Sequence, residues 1–137
     1  MIQHMISLNK FSKYRMMEIS LNNKRMRMQT KLEDLIKSIA SVEGLKSNPA
    51  STFHFELNDT LYAKARLPEN RAELKTIHLW LGANVMLSYP VEEGLTLLRE
   101  KKEEAEGIVK KCEEDLLYLR DQITTMEVNT ARVYNLL

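Results

Sequence analysis

The sequence is 137 residues long and carries 20 Lys and Arg against 19 Asp and Glu, a net charge of +1. That balance excludes a protein that works mainly by gripping phosphates or an anionic membrane. A single cysteine excludes an intrachain disulfide framework or a multi-cysteine zinc site. With only 4 Gly and 3 Pro, 7% aromatics and 28% charged residues, the composition points to long helices rather than a sandwich or a dinucleotide-binding sheet.

No apolar stretch reaches the roughly 18–20 residues that span a bilayer. The start, Met1–Met5, has no basic region followed by an apolar one, so the expectation is a chain without a signal peptide, in a reducing, cytoplasmic setting. No internal repeat, low-complexity tract or Gly-rich phosphate loop stands out. Punctuation divides the chain into three parts of one domain spanning 1–137. All three prolines, Pro49, Pro68 and Pro90, fall in 47–90. The net charges are +5 for 1–46, 0 for 47–90 and −4 for 91–137, so two helical arms of opposite sign flank a neutral middle.

The first arm, 1–46, has a heptad seam at Phe11, Tyr14, Glu18, Leu21, Arg25, Met28, Leu32, Leu35, Ile39 and Val42, with Glu18 and Arg25 as its breaks. In the middle segment Phe53–Leu57 alternates as a half-buried strand does, and Asn58-Asp59 supplies a turn. Leu61, Ala63, Ala65 and Leu67 alternate next, up to Pro68. After a polar loop, Glu69–Glu73, a third strand over Lys75–Leu81 puts Ile77, Leu79 and Leu81 on one face. Gly82-Ala83 reads as a type II′ turn, and Asn84–Tyr89 returns with Val85, Leu87 and Tyr89. Leu79, Leu81, Val85 and Leu87 are candidate core residues of a sheet, and Trp80 lies on the opposite face. Four short strands cannot close their own edges, so this segment predicts assembly with other subunits. The last arm, 91–137, keeps the heptad from Val91 through Leu95, Leu98, Val109, Leu116 and Ile123 to Leu137 without a skip, a strong coiled-coil pattern.

Folding the arms back on each other pairs seam residues whose numbers sum to 137, such as 42 with 95 and 11 with 126, so one register serves the whole length. A shift by one heptad is equally in phase. The predicted architecture is α+β and mainly α: a long antiparallel coiled-coil hairpin whose helices are joined by two β-hairpins. Each arm would be roughly 70 Å long at 1.5 Å per residue, and both ends would meet at the far tip. There Met5, Ile6, Leu8, Phe11, Tyr134, Leu136 and Leu137 form a candidate capture surface, since flexible Met and exposed apolar side chains repack against many partners. His4, His54 and His78 share no metal-ligand spacing, and no nucleophile–base or paired-carboxylate arrangement rises above the charged helices. Neither an enzyme nor a cofactor is expected.

Leu79-Trp80-Leu81-Gly82-Ala83-Asn84-Val85-Met86-Leu87-Ser88-Tyr89 resembles the signature hairpin of the prefoldin subunit family, in its alpha-type subunit 3 branch. Leu119-Arg120-Asp121-Gln122, Glu127-Val128-Asn129 and Ala131-Arg132-Val133-Tyr134-Asn135 are similar to the family's C-terminal helix, and Lys13-Tyr14-Arg15-Met16-Met17-Glu18 to its N-terminal helix. The resemblance implies a heterohexamer of two alpha-type and four beta-type subunits. In it, Leu61, Leu79, Trp80, Leu81, Val85 and Leu87 would contribute to an intersubunit β-barrel. It implies capture of non-native actin and tubulin at the coiled-coil tips and delivery to the cytosolic chaperonin without nucleotide hydrolysis. It also implies the von Hippel–Lindau protein as a further partner and a nuclear as well as a cytoplasmic location. Two other readings compete: a coiled-coil scaffold or adaptor docking one partner through its hairpins, and a nucleic-acid binder using the basic first arm, which the near-zero net charge disfavours.

Overall fold

The structure, a computed structural model, describes residues 2–47, 52–68 and 74–136, with side chains from residue 9 onward. Its elements are α1 (Ile2–Ser47), β1 (Thr52–Asn58), β2 (Leu61–Arg66), β3 (Thr76–Gly82), β4 (Val85–Pro90) and α2 (Val91–Asn135). The architecture is the expected one, mainly α with two antiparallel hairpins between two long helices. The polar loop Glu69–Glu73 lies outside the described residues. The chain packs as two compact units, one of residues 1–34 with 103–137 and the other of residues 35–102.

In the first unit Leu32 on α1 and Ala105, Val109, Cys112, Leu116, Leu119 and Ile123 on α2 are buried, all at most 9% exposed. The heptad reading explains this. Every seam position from Phe11 to Leu32 on α1, and from Ala105 to Thr130 on α2, is buried or half-buried. The breaks have a physical account. The Glu18 carboxylate lies 3.1 Å from Arg15 Nη1 and 3.9 Å from Arg120 Nε, so its half-buried charge is compensated. Arg25 lines a shallow cleft whose other wall includes Glu113.

In the second unit Val42, Leu95 and Leu98 form a buried cluster, with Leu35, Ile39, Ile77, Leu79 and Val91 packed on it. Hairpin β3–β4 therefore rests on the same seam that joins the helices. Gly94 permits this approach: a Cβ there would stand 2.5 Å from Ile77 Cδ1 and 3.6 Å from Leu79 Cδ1. The Val91 amide donates to the Lys75 carbonyl at 3.2 Å, so the start of α2 is tied to the residue before β3.

Interhelical ion pairs report the register. Arg15–Glu127 and Glu43–Arg99 have residue numbers that add to 142, and Lys46–Glu92 and Glu18–Arg120 add to 138. These residues flank the seam, so their sums need not equal the seam sum. Val42 and Leu95, a seam pair with the expected sum of 137, share one buried cluster with Leu98.

The hairpins are built alike. Every partner pair in β1–β2 recurs 24 residues later in β3–β4, from Thr52–Arg66 and Thr76–Pro90 to the bulges between Glu56 and Asn58 and between Trp80 and Gly82. No internal repeat stands out in the sequence because the hairpins share register, not residues. The second turn is also displaced from expectation. Ala83 (φ 50°) and Asn84 (φ 61°) are both left-handed, the requirement of a type I′ turn, and Gly82 (φ 87°) sits in the bulge before it. Asn84, rather than Gly82, is thus a central turn residue.

Two glycines give a contrasting prediction. Gly107 is exposed in mid-helix with nothing near its missing Cβ, so Gly107→Ala should stabilise the chain by about 1 kcal/mol. The same change at Gly94 must displace Ile77, so it should give no such gain, and Gly94→Leu should cost about 1–3 kcal/mol. Thermal melts followed by circular dichroism would check both; equal stabilisation at the two sites would contradict the packing described.

Candidate assembly and capture surfaces

The described residues hold no group of three or more His, Cys, Asp or Glu placed to bind a metal ion. What they present is apolar surface. On hairpin β1–β2, Phe53 faces Ala65 and Phe55 faces Ala63 across the strands. Strand alternation puts Leu57 and Leu61 on that same face, while His54, Glu56, Lys64 and Arg66 take the other. Phe53, Phe55, Leu57 and Leu61 are between 42% and 59% exposed. An entire apolar face therefore stands uncovered in the single chain.

Hairpin β3–β4 is used on both sides. Leu79, expected in an intersubunit core, is half-buried against Val42, Leu95 and Leu98 within the chain. Its cross-strand neighbour Leu87, together with Val85 and the bulged Leu81, stays exposed. Trp80 is opposite Met86 on the other face, and the two are 61% and 57% exposed. At the foot of this hairpin Val42, Leu45, Leu74, Thr76, Ile77 and Val91 line an apolar cleft of about 320 Å³. Each hairpin is a separate two-stranded sheet, so both keep strand edges with unpaired backbone groups.

Beside that cleft Lys46, in the last turn of α1, pairs with Glu92, in the first turn of α2. The hydrogen bond and charge of Lys46 hold the Glu92 carboxyl below its ordinary pKa of 4.5. Its contribution is present above that range and is lost as pH falls through the lowered value. The pair is solvent-exposed, so it serves register more than stability.

At the other ends of the helices, residues 131–136 are all exposed, with Val133, Tyr134 and Leu136 contributing apolar surface. Val133, a seam position by the heptad, is 39% exposed and does not close the coiled coil. Phe11, by contrast, is half-buried under the Arg15 guanidinium, 5.4 Å from the ring centre. Arg15 also bonds Glu127 at 2.9 Å, which makes the start of α1 and the end of α2 neighbours in their unit. Met5, Ile6 and Leu8 belong to α1, but their side chains, like Leu137, lie outside the described residues.

Sequence reasoning missed Phe53, Phe55 and Leu57 as uncovered surface, Met86 as the partner of Trp80, and Gly94 as a packing site. The alternation of β1 and β2 carried the first signal. The second needed the register and the third the contact itself.

The sequence profile of the family described as "Prefoldin subunit" matches residues 14–136. The chain belongs to the prefoldin subunit family. Its relatives include a probable prefoldin subunit 3 of Schizosaccharomyces pombe, 48% identical over 126 residues, covering 90% of this chain and 72% of the relative. The prefoldin subunit 3 of Saccharomyces cerevisiae is 42% identical, covering 95% and 72%, and that of Homo sapiens is 38% identical, covering 91% and 64%. Among solved structures, a filamentous prefoldin from Methanocaldococcus jannaschii aligns with a TM-score of 0.66 at 15% identity, over 88% of this chain and 98% of that one. At that identity the likeness establishes the prefoldin fold. The chain is thus a subunit of a prefoldin complex, and its partners are other prefoldin subunits.

Within this prefoldin subunit, Leu79 and Leu81 should separate by their surroundings. Leu79→Ala should lower the stability of the chain by about 1–3 kcal/mol, whereas Leu81→Ala, at an exposed bulge, should change it by less than about 0.5 kcal/mol. Urea unfolding of the two variants distinguishes them, and equal losses would count against the assignment.

Proposed function

We propose that this prefoldin subunit is an alpha-type member of a heterohexamer of two alpha-type and four beta-type chains, its residues 1–137 acting as a single prefoldin-like domain. In this reading the hairpins join those of sister chains in a β-barrel. Phe53, Phe55, Leu57 and Leu61 on one hairpin, and Leu79, Trp80, Leu81, Val85 and Leu87 on the other, are the contact residues. The observation that carries the reading is the pair of duplicated hairpins, each exposing apolar side chains beside open strand edges. Two such surfaces suit a subunit with neighbours on both sides better than an adaptor docking a single partner.

The function we assign is capture of non-native proteins, actin and tubulin among them, at the helix ends that carry Tyr134 and Leu136, with delivery to the cytosolic chaperonin. Each arm holds weakly, and several arms acting together supply the grip. Capture and release need no nucleotide and no enzymatic step. The setting is the cytoplasm, with a nuclear population, and the von Hippel–Lindau protein is a further partner.

Two experiments divide the proposal. Phe55→Ser with Leu61→Ser should leave the melting of the isolated chain nearly unchanged, because both side chains are already exposed in it. The same pair should abolish entry into the native complex, read as the complex's mass; normal incorporation would refute the barrel assignment. Removing residues 1–10 and 131–137 should do the reverse. The complex should assemble, while suppression of denatured-actin aggregation should fall several-fold as one contributing arm is lost. Undiminished suppression would refute capture at these ends.

A further inference from the structure

We propose that the outer face of α1 between Lys13 and Lys31 is a docking site for an acidic, partly apolar protein segment. The site is separate from the hairpin faces and from residues 131–136. Two observations carry the proposal, and both lie within one compact unit.

The first is an apolar stripe where a two-helix coiled coil should be most polar. Met16, Ile19 and Met26 are 69%, 61% and 64% exposed. At 100° per residue they project opposite the seam residues Tyr14, Leu21 and Met28. None of the three is part of the buried seam, and Met26 borders the shallow cleft between Arg25 and Glu113. Met16 and Met26 are about 15 Å apart along the axis, the span of a short peptide segment. Two of the three side chains are methionines, which adapt to varied apolar partners.

The second is the charge beside that stripe. Residues 13–31 contain six Lys or Arg and a single acid, Glu18. Glu18 is already engaged by Arg15 and Arg120. Lys13, Lys24, Arg27 and Lys31 project along one flank of the stripe, and among the described residues no carboxylate lies within ion-pair distance of them. Four aligned, unneutralised cations beside exposed Met and Ile select an occupant with carboxylates on one side and apolar side chains on the other. The attraction speeds encounter and sets specificity, while the stripe supplies contact area. A second coiled-coil helix fits less well, because Asn23 and Thr30 interrupt the stripe. Nucleic acid fits less well too, because the stripe holds no aromatic ring on which bases could stack.

The test uses the full chain assembled with its partner subunits and a fluorescein-labelled amphipathic peptide with Glu on one face and Leu on the other. Variants change only this chain within the same assembly, and binding is read by fluorescence anisotropy. The peptide should bind. Lys13→Glu, Lys24→Glu and Arg27→Glu together should weaken binding about tenfold, as should Met16→Ser, Ile19→Ser and Met26→Ser together. Helix content should be unchanged in both, since these side chains face away from the seam. Raising salt from about 50 to 300 mM should weaken binding by the unaltered assembly, which reads the charge requirement without any substitution. The proposal is overturned if binding is insensitive to salt or to either set of changes. It is overturned as well if a peptide with Lys in place of Glu binds equally. Phosphatidylserine vesicles or a single-stranded oligonucleotide displacing the peptide as well as unlabelled peptide does would also refute it.

Discussion

The interaction on which the rest depends is the burial of one apolar stripe on α1 against one on α2. Neither helix has an independent reason to be ordered over 45 or 46 residues, because a lone helix in water gains little beyond its own backbone bonds. Pairing removes Leu32, Ala105, Cys112, Leu116 and Leu119 from solvent. The heptad spacing guarantees that each next turn offers another apolar residue to the partner. The exposed ion pairs that flank the seam, Arg15–Glu127 in one unit and Glu43–Arg99 in the other, add little free energy but repeat the same offset, which disfavours a slip of one heptad.

From that seam the uses of the remaining surface follow. Near the hairpins the stripe is wide enough to take Ile77 and Leu79 as well, because Gly94 leaves room for a strand against the helix. This commits one face of the second hairpin to the chain's own core. It leaves Trp80 and Met86 uncovered on the other face, and Leu81, Val85 and Leu87 exposed as well. The first hairpin leaves its whole apolar face bare. A chain with this much apolar surface beside open strand edges is an incomplete object, as membership of a complex requires.

Several features were legible early for a physical reason. A heptad repeat is a local rule enforced at every turn, so the seams from Phe11 to Val42 and from Val91 to Thr130 could be read residue by residue. The breaks at Glu18 and Arg25 did not hide them. Strand alternation is equally local, and the four strands lie within about a residue or two of their expected bounds. The turn is type I′ rather than the type II′ that Gly82-Ala83 suggests, because the extra residue of a bulge moves it to Ala83-Asn84. The likeness of the two hairpins went unseen because pairing register, not residue identity, is what they share.

The sequence by itself determined which residues form helices and strands and which stripe each helix buries, because both follow from periodicity and local backbone preference. Only the tertiary structure decided the antiparallel pairing of the arms, the place of Leu79 in the chain's own core, the role of Gly94 and the exposure of Met16, Ile19 and Met26. Each depends on which atoms of distant segments meet, and a periodic pattern is blind to that, since it looks the same from every repeat along its length.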